Sequence, residues 1–164
     1  MLVVHGTKKF LDRVENQFTD EASSTTVLGS WYATVLFWKP QVAFFMNENS
    51  FFPVLLPLAP SSTLLKRFPT ALEHVLRSLN LDANLIEYEI AEMARWRIEK
   101  TKNRQVLGVM NDFSGLAAYS DITDPTDLSK FLAGTPCGPL RRSTRFPDLE
   151  LIALAARTWP PPNP

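Results

Sequence analysis

The chain has 164 residues, 45% of them hydrophobic, and its 17 Lys and Arg residues balance 17 Asp and Glu residues. That length supports one real core and is short for two ordinary domains, while the zero formal charge argues against a protein that holds nucleic acid or anionic membrane through its overall field. The longest apolar run, residues 51–60, carries three prolines and falls well short of the roughly 20 residues of a spanning helix, and the single Cys137, with no secretory pattern at the N-terminus, points to the reducing cytoplasm.

In chain order, residues 1–5 read as a short apolar strand, and Thr7 is a plausible cap for a small helix carrying Phe10, Leu11 and Val14 at helical spacing. Residues 15–25 are polar and read as a loop. The stretches 30–38, 41–46 and 51–58 are rich in aromatic and branched residues and are separated by turn-like breaks at Lys39-Pro40 and residues 47–50, which predicts an antiparallel meander. Its strands are almost continuously apolar, so both faces should be covered, and Pro53 and Pro57, which cannot donate ladder hydrogen bonds, put the third strand at an edge.

After residue 60 the period changes. Leu64, Leu65, Phe68, Leu72, Val75, Leu76 and Leu79 predict a helix capped by Ser61 or Ser62, and a second runs from Asp82 through Leu85, Ile86, Ile90 and Met93, making a helical hairpin. Arg95 and Arg97 read as its basic C-terminal end, the charge order that the helix dipole favours. A third helix is expected to start at Asn103 and to bury Val106, Leu107, Met110, Phe113 and Ala117, and Asp124-Pro125-Thr126-Asp127 supplies a cap and first turn for a short helix ending at Gly134. A last helix spans residues 147–157, and the proline-rich residues 159–164 form an extended or disordered tail. The expected fold class is therefore α+β: a single domain over residues 1–158, with an antiparallel β-meander and an N-terminal strand packed against a helical hairpin and further C-terminal helices.

Chemistry concentrates in residues 100–112. Five Lys or Arg residues fall between Arg95 and Arg104 against the single Glu99. Lys100, Lys102, Asn103 and Arg104 stand at a helix start, where cations oppose the dipole and unpaired backbone N–H groups face outward, an arrangement that makes sense around an anion. Asn111 and Asp112 fall in mid-helix, where such residues compete for backbone hydrogen bonds, so a buried polar bracket between this helix and the meander is expected ahead of a catalytic pair. Asn47-Glu48 reads as a turn pair, with a carboxylate aimed at the basic cluster as the sharper alternative. Cys137 beside His5 or His74 could make a nucleophile, but a small residue in a tight turn is the simpler reading. No metal-ligand spacing, dinucleotide fingerprint or P-loop is present, so no cofactor is expected. The aromatic side chains of the meander suggest core packing or a homo-oligomer interface.

Thr7-Lys8-Lys9, the Gly-x-Trp-Tyr-Ala run from Gly29 to Ala33, Asn47-Glu48, and Lys-Thr-x-Asn-Arg-x-Val-Leu-Gly-x-Met-Asn-Asp from Lys100 to Asp112 together resemble a bacterial domain family of unknown function, over residues 1–117. That family favours a Cys just before Thr-Lys-Lys, where this chain has His5-Gly6. The resemblance carries no activity. It implies that Lys8, Asn47, Lys100, Asn103, Arg104, Asn111 and Asp112 belong to one constellation, and that a family-like core of residues 1–120 is followed by a helical addition at 121–158. The expected function is a non-catalytic binding module for an anionic small molecule or an acidic protein segment, held at Lys8, Lys100, Lys102, Asn103 and Arg104 with Asn47, Glu48, Asn111 and Asp112 in support. The alternative is an enzyme acting on a phosphate-containing or nucleic-acid substrate, with Asp112 or Glu48 as general base.

Overall fold

A computed structural model describes residues 1–15 and 23–162. The expected loop at 15–25 lies largely outside the described residues. The order is β1 (Leu2–Gly6), α1 (Lys8–Leu11), β2 (Trp31–Leu36), β3 (Val42–Asn47), β4 (Pro53–Pro57), α2 (Leu64–Ser78), α3 (Ala83–Glu92), β5 (Trp96–Lys100), α4 (Arg104–Tyr119), α5 (Pro125–Ala133) and α6 (Pro147–Thr158). Single 3-10 turns at Ser61–Thr63 and Gly138–Leu140 lead into α2 and follow α5.

The class is α+β, and the sheet is mixed. Its five strands run in the order β4-β3-β2-β1-β5. β2, β3 and β4 pair antiparallel, whereas β1 pairs parallel with both β2 and β5. The parallel part corrects the expectation of an antiparallel sheet: β1 runs parallel to β2, to which it is joined through α1, and β5 adds a second parallel pair. Residues 96–100, expected to divide between the basic end of one helix at Arg97 and the start of the next at Lys100, form a strand because Trp96 and Ile98 alternate with Arg97 and Glu99, a period of two that buries one face. α3 stops at Glu92, so Arg95 and Arg97 do not finish it.

Alternation assigns the two layers. One face of the sheet carries Leu2, Val4, Trp31, Ala33, Phe45, Val54 and Ile98, and packs on Phe68 and Leu72 of α2, Leu85 and Ile86 of α3, and Leu151 of α6. Phe68 stacks on Phe45 with ring centroids 4.2 Å apart and meets Trp31 edge-on at 5.1 Å. The other face presents Tyr32, Leu36, Val42, Phe44, Met46 and Leu55 to Val106, Met110 and Phe113 of α4 and Leu128 and Leu132 of α5. Trp31, Tyr32, Phe44, Phe45, Phe51 and Phe52 are all buried within the chain. Among the described residues no open aromatic sheet face is found; Phe37, half exposed, and Trp38, half-buried, are the exceptions, and Lys9 and Arg13 lie over the Phe37 ring.

β4 stands at one edge, as its prolines require, and α5 lies along it. The Ser129 hydroxyl accepts the Leu55 N–H at 2.8 Å and donates to the Pro125 carbonyl at 2.8 Å, so a ladder donor that an edge strand leaves free is satisfied from a helix. Arg67 ties α2 to the end of β4 by donating to the carbonyls of Pro57, Leu58 and Pro60. Trp159, expected to begin a disordered tail, packs against Tyr88 of α3.

Candidate functional site

β1 and β5 end side by side, with Gly6 opposite Lys100. Beyond their carboxyl ends the chain departs to opposite faces, to α1 on the α2 side and to α4 on the other. In open sheets a crevice of this kind is where ligands bind. Its floor is a row across three strands, Glu99 opposite His5 and His5 opposite Tyr32, all three on the α4 face.

The row is a connected polar cluster. The Nδ1 atom of the buried His5 lies 3.2 Å from the Lys100 carbonyl oxygen and 3.5 Å from a Glu99 carboxylate oxygen. A carbonyl only accepts, so Nδ1 carries the proton and Nε2 is left as the basic nitrogen. The His5 ring lies over Tyr32 with centroids 4.8 Å apart. The Tyr32 hydroxyl accepts the Asn103 N–H at 3.0 Å, which fastens the start of α4 to the sheet. Burial pushes its pKa above the usual phenol value, and the negative charges of Glu48 and Glu99 add to that shift against the backbone N–H bond. Arg97 closes the row with a 2.8 Å ion pair to Glu99.

Cations gather at the same strand ends. Lys100, Lys102 and Arg104 are exposed and form no ion pair among the described residues. Asn103 caps α4, its side-chain oxygen accepting the N–H groups of Gln105 at 3.0 Å and Val106 at 3.3 Å. This corrects the expectation of open backbone donors at the helix start: an anion here meets side chains more than amides. Strand alternation puts Lys100 on the Ile98 face, away from His5 and Glu99 and on the side of α1. Lys8 stands in α1 on that same side but is engaged with Asp12 at 2.9 Å.

The other expected members lie apart. Asn47 is fully buried and works as a turn anchor: its carbonyl oxygen accepts from the backbone of Asn49 and Ser50 and from the Ser50 hydroxyl, and its amide donates to the Leu28 and Ser30 carbonyls. The same junction needs Gly29, whose φ is +83° and whose missing Cβ would stand 2.7 Å from the Asn49 amide nitrogen. Glu48 is partly exposed, near enough to Tyr32 to act on its charge. Asn111 and Asp112 are exposed on α4, so the buried bracket expected of them does not form. Asp112 is near enough to Cys137 to act on its thiol, which is pushed up to about 11, chiefly by burial and further by that carboxylate. Cys137 is thus a protonated core residue, and His74 is exposed on α2. The His5, Tyr32 and Glu99 row went unnoticed in the sequence because it exists only once β5 is a strand; Trp96-Arg97-Ile98-Glu99 alternation was the available signal.

The fold and this end of it define an α+β protein whose parallel strands deliver a polar row and a cationic rim. The chain belongs to the family described as Domain of unknown function (DUF6933), whose model matches residues 3–150. The match takes in α5 and the start of α6, so it extends past residue 120, where the sequence reading ended the family-like core. No curated protein and no solved structure matches the chain. Among the described residues no helix is long and apolar enough to cross a membrane.

Proposed function

We propose that this protein is a non-catalytic binding module that engages an anionic ligand, best an acidic segment of a partner protein, at Lys100, Lys102 and Arg104. The observation that carries the reading is that these three cations are exposed and, among the described residues, without carboxylate partners, whereas the adjoining Arg97 and Lys8 are paired. Because Asn103 already occupies the first-turn amides, the contact is made by flexible side chains at an open surface. That suits an extended acidic segment better than a single enclosed phosphate. Such binding is screened by salt, and the buried thiol of Cys137 fits a reducing compartment such as the cytoplasm.

Calorimetric titration with an oligo-glutamate peptide at low ionic strength tests the site. Arg104→Ala should weaken binding by roughly three- to tenfold, whereas Arg142→Ala, in a second exposed group of arginines, should leave it unchanged. Equal losses in both variants would mean diffuse attraction and no site.

The polar row supports a second reading. In it an enzyme acting on a phosphate-containing substrate would use Glu48 or His5 as base, with Arg104 at the start of α4 stabilising phosphate charge; Lys100, on the other face of β5, would take no part. Asp112 is exposed on α4, near enough to Cys137 to act on its thiol.

A further inference from the structure

A cavity of about 520 Å³ opens where the β2–β3 turn and the end of β4 meet the end of α4 and the start of α5. It is distinct from the cationic rim: Ala117 in its lining lies 13 residues along α4 from Arg104, roughly 20 Å away at 1.5 Å per residue. Val42, Ala117 and Leu128 form a buried floor, and half-buried Trp38 and Ile122 form the walls. The volume lies within the range of small-molecule sites, and the lining has their character, apolar with a few polar groups at the mouth.

Lys39 is the one charged residue of that lining, beside the neutral Gln41, Ser120 and Thr123. No lining residue carries a carboxylate, while Lys39 at the mouth is exposed and unpaired among the described residues. Gln41 also lines the mouth, and its side-chain oxygen is taken by Arg13 at 3.1 Å, which leaves its amide N–H groups to donate outward. The mouth therefore offers a cation and neutral donors over an apolar floor with an indole at its side. We propose that this cavity is a binding site for a small apolar carboxylate, an aromatic or short aliphatic acid whose hydrocarbon part rests on Val42, Leu128 and Trp38 and whose carboxylate meets Lys39 and the Gln41 amide.

The test follows the Trp38 indole N–H resonance of the full ¹⁵N-labelled chain during titration with 2-naphthoate and, separately, with neutral 2-naphthylmethanol. Saturable movement of that resonance by naphthoate is expected. Ala118→Trp, an exposed position on the cavity wall, should abolish it by filling the space, with Thr123→Trp as a second blocking variant should the first not fold. Lys39→Gln should weaken naphthoate by roughly three- to fivefold, the scale of one exposed ion pair, and leave naphthylmethanol unchanged. An unmoved Trp38 resonance, or undiminished binding in a folded blocking variant, overturns the site. Equal affinity of wild type and Lys39→Gln for naphthoate overturns the choice of a carboxylate.

Discussion

Glu89 is a carboxyl group with no exposure inside a helix-to-sheet junction. One of its oxygens accepts the N–H groups of Val27 at 2.6 Å and Leu28 at 3.3 Å, and the other has no partner among the described residues. Desolvation outweighs the two backbone bonds and raises its pKa from 4.5 to about 7. The folded value stands above the unfolded one, so the contribution of Glu89 to stability is complete below about 4.5 and is lost as pH rises through about 7. The loss is on the order of 3 kcal/mol. Glu89→Gln keeps an acceptor for the loop and removes the titration. The stability difference between variant and wild type should therefore shift in favour of the variant by that amount between pH 4.5 and 8, read from denaturant unfolding across pH; parallel profiles would rule this out. Nothing in the sequence marked Glu89, one of several acids on α3, because its burial is decided by a loop some 60 residues away. Asn47 was readable as a turn residue, and so it is, but its burial and its grip on Leu28 are tertiary facts.

At the scale of elements, the helices were the readable part. Repeats of apolar residues at 3.6-residue spacing marked α2 and α4, Asp82 and Asn103 marked helix starts, and Asp124 was a recognisable cap that the structure uses, whereas neither Ser61 nor Ser62 caps α2, whose N-cap Thr63 makes no side-chain bond. β5 was not, since a five-residue strand that follows directly on a helix and carries Arg97 and Glu99 reads equally as a charged helix end. Without it the second parallel pair is invisible, and so is the place of Glu99 beside His5 and Tyr32. The link from that row to α4 is the bond from the Asn103 N–H to the Tyr32 hydroxyl. Tyr32→Phe should cost about 1–2 kcal/mol, because the N–H loses its acceptor at a partly buried position, and should speed hydrogen exchange at Asn103 more than at Met110 in the middle of α4. Uniform acceleration along the helix would show that the bond is not what anchors its start.

For the molecule as a whole, the coverage of both sheet faces matters most. α2, α3 and α6 close one face and α4 and α5 the other, so the aromatic side chains that suggested an interface are spent on the core. What remains for recognition lies at the strand ends: a cationic rim beside the polar row, and an apolar cavity at the far end of α4. The rim was legible in the sequence as unpaired charge in residues 100–104. The cavity was not, because its lining comes from four separated segments, none distinctive alone. The central claim, that the cationic rim recognises an acidic segment, is tested most directly by following backbone amides during titration with oligo-glutamate. The account predicts saturable shifts confined to residues 100–105 and their neighbours on β1, reversed at about 0.5 M salt. Shifts centred on residues 141–145, or none at low salt, would contradict it.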